Sequence, residues 1–388
     1  MKIKDYRKDI ITIIVTVILS LVIIFFSKFI YNSGFLSDNL YQGAEYYRAE
    51  VCEVLENKLN DDKYIEGMEL GQQEIKVQIL DGPYKGNEYT ITNNLSRLYN
   101  VKAEEGTKVI IAMYFVNNEL NNIAVSSYER SNVLAVMIIL FLVIVAVIGG
   151  IKGVKSIISL LFTIVCIIFL MLPLMFRGIN PIIAAIIVVV ISITVTLILV
   201  SGMNKKSLSA IIGTVLGVFI SGMLAYIFGN CAHLSGFTMS DAESVMYIAE
   251  STELKIKGIM FAGILIASLG AVMDVAMSIS SSIFEINSIN ERMTVLNLFK
   301  SGMNIGRDII GTMTNTLILA FAGGSLNTLI LIFAASMNSN RLFNLEILGT
   351  EIIQGLAGSM GIVLTVPITA IVSAYLCGYS RKKWGVDN

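Results

Sequence analysis

Long apolar runs recur along this chain and predict membrane-spanning helices. A helix that crosses the hydrocarbon core needs about 20 mostly apolar residues. Gly323 and Gly324 interrupt one of the runs, which is therefore either one broken or re-entrant helix or two short segments. The candidate stretches are 10–30, 132–150, 154–175, 179–201, 208–229, 257–283, 308–335 and 351–378. The pattern predicts an α-helical integral membrane protein with about eight transmembrane helices.

Residues 31–131 follow a different pattern, in which polar and apolar residues alternate. The segments AEVCEVLE, QEIKVQIL, NEYTIT and TKVIIAMYF have the period of two and the β-branched content of strands. DGPYKGN, between two of them, has the composition of a turn. We therefore expect an anchor helix at 1–30, a small β-rich extracytoplasmic domain at 31–131, built as a barrel or sandwich, and a helical bundle at 132–388.

Composition excludes a soluble globular protein, because 55% of the 388 residues are hydrophobic and only 15% are charged. The net charge of -1 and the lack of a basic stripe with interleaved aromatic residues give no indication of a nucleic-acid partner. Residues 31–130 carry 16 acidic and 9 basic residues. This acidity indicates either a solvated surface or attraction of a cation or basic peptide.

Basic clusters predict the orientation of the chain, since Lys and Arg concentrate in cytoplasmic loops. Eight crossings place every cluster on one side, so both termini are predicted to be cytoplasmic. The N-terminal apolar run, at about 21 residues, is too long for a cleaved signal peptide and predicts an uncleaved anchor. The clusters are Lys2, Lys4, Arg7 and Lys8, then Lys152 and Lys155, Lys205 and Lys206, Arg292 and Lys300, and Arg381 to Lys383.

Polar residues inside the last three apolar stretches are the candidate functional residues. A charge at the bilayer centre costs about 3 kcal/mol on insertion scales, so such residues face a bundle interior or a water-filled path. Helical spacing places them on one face of each helix, and we expect the three faces to meet. They are Asp274, Ser278 and Ser281, with Glu285 beyond them, then Asp308, Thr312 and Asn315, and finally Glu351 and Gln354.

Two interpretations compete for these residues. As structural groups, the small residues allow close helix approach, the hydroxyls bridge helices, and Asp274 is neutralised by protonation or by Arg307 as its charge partner. As functional groups, their oxygens bind a proton or hard cation, or line a substrate route. We favour the functional interpretation, because structural bridging does not require a carboxyl group.

Motifs for enzymatic or metal chemistry are missing from the sequence. It contains no HExxH, GxSxG or Walker A motif, and NIGR before Asp308 does not match the GxGD pattern of intramembrane aspartyl proteases. Cys231 and His233 are too few ligands for a metal site, which needs about four. The four cysteines form no CxxC or disulfide framework. We therefore predict no catalytic activity, no cofactor and no metal.

The string GAVMDVAMSISSSIFEIN, followed by SGMNIGRDIIGTMTNTLILAFAGG, resembles the YibE/F-like family of bacterial multipass membrane proteins. ILDGPYKGN at 79–87 matches a turn in the family's extracytoplasmic segment. The resemblance implies a bacterial cell membrane location, but the family has no settled biochemical activity, so it assigns no substrate or catalytic residue. The residues within its signature region are Asp274, Asn304, Arg307, Asp308, Thr312 and Asn315.

These observations predict a membrane transporter or channel-like permease with an intramembrane carboxylate pathway. Its expected partners are the lipid bilayer and a small ion or solute as substrate. The alternative is a non-transporting membrane scaffold or assembly factor whose extracytoplasmic domain binds a partner protein.

Overall fold

The computed structural model describes residues 2–31, 44–116, 119–236, 242–250, 252–256, 258–335 and 338–384. The chain divides into two compact units, one of residues 1–36 with 145–388 and the other of residues 37–144. Within the described ranges the elements are α1 (Lys2–Tyr31), β1 (Ala44–Asp61), β2 (Glu69–Ile79), β3 (Glu88–Leu95), β4 (Lys108–Val116), β5 (Glu119–Tyr128), α2 (Ser131–Cys166), a π-helical turn (Ile167–Met171), α3 (Leu172–Phe176), α4 (Pro181–Ser201), α5 (Lys205–Cys231), α6 (Ala242–Glu250), α7 (Ile259–Ile289), α8 (Val295–Gly324), α9 (Leu326–Ala334), α10 (Ser339–Leu342) and α11 (Glu346–Trp384).

The β-rich unit is one five-stranded antiparallel sheet with strand order β3-β2-β1-β4-β5. The long strand β1 pairs with both β2 and β4, and the sheet forms a half-barrel instead of the predicted closed barrel or sandwich. The four segments predicted as strands all lie in strands. The sequence prediction missed β5, because its Asn-rich residues, ELNNIAVSSY, alternate only weakly.

Alternation along β2 explains the core of this unit. Ile75, Val77 and Ile79 are buried, while the residues between them are at least partly exposed. The predicted turn DGPYKGN joins β2 to β3. Gly82 in this turn has φ 71° and packs so closely against the ring of Tyr47 that a side chain would not fit.

Six helices of the described chain are long and apolar enough to cross a membrane, or seven if one bent pair counts as a span. The bent pair is α8 and α9, which meet at 63°, and this confirms the interruption predicted at Gly323 and Gly324. The six single candidates are Asp9–Phe29, Ser131–Phe176, Pro181–Ser201, Lys205–Cys231, Ile259–Ile289 and Glu346–Gly378.

The predicted count of eight differs because the second and third predicted stretches fall within one 46-residue candidate, Ser131–Phe176. Helical geometry is interrupted inside it at Gly150, with φ 54° and ψ -139°. A side chain on Gly153 would collide with the backbone of Val145, although residues eight apart in a straight helix are separated by about 12 Å. The chain therefore bends sharply at Gly150.

Helices α7 and α8 extend beyond the predicted stretches 257–283 and 308–335 into the residues between them. Helix α7 continues to Ile289, and α8 begins after Thr294, whose side chain accepts a hydrogen bond from the backbone N–H of Asn297. This N-cap explains the early start of α8. Only a short turn separates the two helices.

Helices α5, α7 and α11 form the centre of the helical unit, with α4 and α8 packed around them. One face of α7 supplies buried apolar side chains to this core, including Leu265, Val272 and Ile279. On α4 the large apolar side chains Ile183 and Ile187 are instead exposed, at 54% and 40%. The central helices thus bury one face, while α4 also presents large apolar side chains on an outer surface, as a membrane bundle requires.

Candidate functional site

The predicted polar residues of α7 lie on its exposed face. Asp274 and Ser278 are exposed and Ser281 is half-buried, whereas Val275 and Ile279 on the opposite face are fully buried. The helical periodicity of the sequence therefore correctly placed Asp274 and Ser278 on one face of α7. That face lies on the surface of the described chain and not among its buried residues.

Small residues continue this exposed face towards the N-terminal end of α7. Among the large apolar side chains of α7, the strongly exposed one belongs to Ile289, the last residue of the helix. Gly263 and Gly270 have open space where a side chain would be. We call this surface the α7 stripe; its exposed members are Gly263, Ala267, Gly270, Asp274, Ser278 and Glu285.

Helix α8 presents a second polar surface. Arg307, Asp308, Thr312 and Asn315 are all exposed, and Arg307 donates a hydrogen bond of 3.3 Å to the side chain of Asn304. The inner face of α8 is made of small residues, since Gly302 and Gly306 are buried against other helices. The predicted residues of this helix therefore also share a face on the chain surface.

Glu351 and Gln354 on α11 are half-buried. Glu351 lines a cavity of about 240 Å³ next to the break between α8 and α9. Its walls are mostly apolar, and Ser325, at the break itself, also lines it. The carboxylate and the interrupted helix, both noted in the sequence, are therefore neighbours in the fold.

Helices α5, α7 and α11 meet through hydroxyl groups that the sequence analysis did not select. The side-chain oxygens of Ser209 and Ser280 are 2.6 Å apart, and Ser373 donates to Ser209 over 3.1 Å. Ser280 also lies 2.8 Å from the backbone oxygen of Lys206. We call Ser209, Ser280 and Ser373 the serine seam. It joins positions far apart in sequence and is fully buried.

Close helix contact accompanies the serine seam. A side chain on Gly213 would collide with Thr369, and one on Gly217 would collide with Thr365. A side chain on Gly361 would likewise collide with Ser221. Small residues that let helix backbones approach are typical of membrane helix packing. The Gly213-x-x-x-Gly217 spacing in α5 was the signal from which this contact could have been predicted.

A partly buried ion pair links α1 to α2. Lys155 is only 6% exposed, and its Nζ lies 2.6 Å from the carboxylate of Asp9. The pair borders a cavity of about 650 Å³ that Thr12, Ser201 and Asn204 also line. Sequence analysis assigned Lys155 to a cytoplasmic cluster and did not consider Asp9, because the two residues are 146 positions apart.

No cluster of three or more His, Cys, Asp or Glu side chains suited to a metal ion occurs in the described part of the chain. Cys231 and His233, predicted to be too few ligands for a metal site, lie at the end of α5 and in the turn after it. Both are exposed, and His233 has a positive φ of 54° in the turn after α5. Asp241, ten residues after Cys231 in the sequence, lies outside the described residues.

Comparison with known proteins identifies the family. Residues 137–379 match the family model described as YibE/F-like protein, and residues 39–128 match the YibE/F family N-terminal domain. Searches of curated proteins and of solved structures found no match. The two family matches cover most of the chain, so it belongs to the YibE/F-like family.

Proposed function

We propose that this protein is a membrane permease for protons or small cations, and that its polar pathway follows the α7 stripe beside the exposed face of α8. The observation that carries this proposal is the exposed carboxylate of Asp274, in a stripe without large apolar side chains. Facing lipid, such a carboxylate would cost about 3 kcal/mol on insertion scales. A water-filled path along the stripe would remove that cost.

The structural interpretation of Asp274 is less well supported. Helix bridging within this chain would require a neighbouring helix against the small residues of the stripe, yet Gly263 and Gly270 face open space. The close contacts of the bundle lie elsewhere, at Gly213 and Gly217 on α5. Within the described ranges, the α7 stripe is thus not used to pack the helices of a single copy.

The cavity at Glu351 favours a cation over an anion. It lies at the junction where α8 ends and α9 begins, so the partial charges of the two helix ends oppose each other. The carboxylate of Glu351 therefore supplies the negative charge that favours a cation. Interrupted helices form the ion sites of many transporters, because their free backbone groups can contact the ion.

Reconstitution into liposomes tests this proposal. Purified wild type should carry protons down an imposed gradient, measured with an enclosed pH-sensitive dye, or alkali cations, measured by radiotracer uptake. Asp274→Asn should reduce the flux at least about tenfold with an unchanged thermal midpoint, because the amide keeps the size but cannot ionise. Glu291→Gln, in the exposed turn between α7 and α8, is the matched control and should retain full flux.

Two results would refute the proposal that this protein is a permease. One is wild-type flux no greater than that of empty liposomes for every cation in the panel. The other is full flux through Asp274→Asn. Unchanged flux in Glu351→Gln alone would remove the cavity from the pathway and leave the role of the stripe intact.

The β-rich unit supplies an observation that favours the alternative role as a scaffold. Tyr64 and Leu98, in the loops after β1 and β3, are each 83% exposed, and Tyr99 is 67% exposed. Exposed apolar patches of this kind mark interaction sites. The patch is held in place by Asp62, whose buried carboxylate accepts a hydrogen bond of 2.6 Å from Arg97.

Charge and backbone contacts make this connection between the loops specific. Arg97 holds the pKa of the Asp62 carboxyl below its usual range, and the backbone N–H groups of Tyr64 and Ile65 act in the same direction. The Arg97 guanidinium also lies 5.1 Å from the centre of the Tyr64 ring. A scaffold predicts a co-purifying protein that Leu98→Ser with Tyr99→Ser releases. Failure of the double variant to release it would reject this surface.

A further inference from the structure

We propose that the α7 stripe is covered by the α7 stripe and α8 face of a second copy of this chain, so that the permease is a dimer with its polar pathway between the two copies. The transport role of this interface rests on the proposed function. Dimerisation itself does not, and it can be measured without any transport assay.

The length of the stripe requires a cover along the full depth of the membrane. From Gly263 to Glu285 the helix has 23 residues and rises about 33 Å. The hydrocarbon core is about 30 Å thick. A single copy would therefore expose glycines and an aspartate to lipid from one side of the membrane to the other.

Charge complementarity points to a second copy. Asp274 on α7 and Arg307 on α8 are both exposed and opposite in charge, although Asp308 beside Arg307 is exposed as well and carries the same charge as Asp274. The described part of the chain contains no ion pair between them, since its ion pairs involve other residues. In a two-fold interface, residue i of one copy meets residue j of the other and the reverse contact follows by symmetry. One symmetric contact would thus pair both aspartates with both arginines.

The two groups also lie at compatible depths. Ile283 of α7 packs against Gly302 of α8, and this contact sets a common level for the antiparallel helices. From that level Asp274 is about 14 Å along α7 and Arg307 about 8 Å along α8, at 1.5 Å per residue. The remaining difference of about 6 Å is one that an extended arginine side chain can span.

The small residues of the stripe suit helix-to-helix contact. Gly263, Ala267 and Gly270 recur at intervals of four and three residues on one exposed face. Such spacing lets a second helix approach closely, as in small-xxx-small membrane dimers. On α4 the exposed positions Ile183 and Ile187 carry large apolar side chains suited to lipid. The α7 stripe therefore suits contact with another helix, whereas the exposed face of α4 suits contact with lipid.

Charge reversal with mixing tests the proposed contact. Asp274→Arg alone would place arginine opposite arginine across the interface, and Arg307→Asp alone would place aspartate opposite aspartate. Each should lower the dimer fraction at least about tenfold, because like charges in an interface repel strongly. Co-expression of the two variants under different tags should restore dimers, and these should contain one copy of each.

The mixing result distinguishes this contact from one within a single chain. A pair formed inside one copy would be rescued only when both substitutions are in the same chain, and that outcome would overturn the proposal. A wild-type protein that is monomeric by native mass spectrometry and uncrosslinked in native membranes would also overturn it. The mixed dimer appears or fails to appear whether or not the protein transports ions.

Cysteine crosslinking provides an independent readout. In a background with the four native cysteines replaced by serine, Gly270→Cys should form a disulfide-linked dimer on mild oxidation. Ile187→Cys is the matched control, because it is equally membrane-embedded but lies on the α4 outer face. Crosslinking at Ile187→Cys and not at Gly270→Cys would place the interface on the wrong helix and reject the proposal.

Discussion

The two units of this protein treat their polar side chains in opposite ways. In the β-rich unit, Gln73 and Asn93 are buried and hydrogen-bonded to each other over 3.2 Å, and both also reach the backbone near Ala103. In the helical unit, Asp274 and Arg307 remain on the surface. The first unit satisfies its polar groups with its own residues. The second pairs Lys155 with Asp9 but leaves Asp274 and Arg307 for a neighbour or for water.

Hydroxyl groups in the helical unit make the contrast sharper. Thr214 and Thr365 donate to backbone carbonyls four residues earlier in their own helices. Such bonds satisfy the hydroxyl locally and do not link helices. In contrast, the hydroxyl groups of the serine seam form hydrogen bonds between α5, α7 and α11. The serine seam therefore links helices of the bundle, while the carboxylates of Asp274 and Asp308 lie at its surface.

The largest expected effect comes from placing a charge on each of two outer faces. Ile187→Asp on α4 should greatly reduce the amount of protein recovered in membranes, because exchanging Ile for Asp at a lipid-facing position costs about 3 to 4 kcal/mol on insertion scales. Ala267→Asp on the α7 stripe should cost much less, since its face already carries Asp274. Equal losses would show that the two faces contact the same surroundings.

The next largest effect is a difference in stability between variants of a packed glycine and of an exposed glycine. Gly217→Val should lower the stability of detergent-purified protein by about 3 kcal/mol, because the added side chain collides with Thr365 and Val272. Gly270→Val has open space and should leave the thermal midpoint of a detergent-solubilised monomer nearly unchanged. A large loss in Gly270→Val would indicate that the α7 stripe is packed within one copy after all.

A smaller effect tests whether the β-rich unit completes its own polar network. Gln73→Ala removes the side-chain partner of Asn93 and of the Ala103 N–H, which should destabilise this unit by about 2 kcal/mol. Gln72→Ala, the exposed neighbour, is the matched control and should be almost silent. The comparison uses thermal unfolding of a fragment of residues 37–131, followed by circular dichroism. Equal effects would contradict a structural role of the network.

The sequence predicted those parts of the structure that depend on local patterns. Alternation located the first four strands, and composition located the turn after Ile79 and the break at Gly323 and Gly324. Periodicity of polar residues correctly grouped Asp274 with Ser278 on one face of α7. These inferences needed only residues close in sequence.

Long-range contacts explain what the sequence could not supply. Periodicity shows which residues share a face but not which face turns inward, and on α7 the apolar side does so. The serine seam joins positions 71 and 164 residues apart, and Asp9 pairs with Lys155 across 146 residues. None of these partners has a signature in the local sequence. These contacts form only when the helices pack together, so they become visible only in the folded structure.

The smallest expected effect is a pH dependence confined to the β-rich unit. Arg97 and two backbone N–H groups lower the folded-state pKa of Asp62, so the contact stabilises the unit above the unfolded pKa of about 3.9 and is lost as the pH falls through the lower folded value. Asp62→Asn should therefore lower the thermal midpoint of the fragment of residues 37–131 near neutral pH. In strong acid, the difference from wild type should become small.

Asp61→Asn, at the exposed neighbouring position, is the control for this titration and should show no such convergence. A difference between Asp62→Asn and wild type that stays constant with pH would mean that the loss comes from hydrogen-bond geometry and not from charge. The Tyr64 and Leu98 surface would then still be held in place, but without an electrostatic contribution. The contrast between the units would remain, because Asp62 has its partners within one chain whereas we place the partner of Asp274 in a second copy.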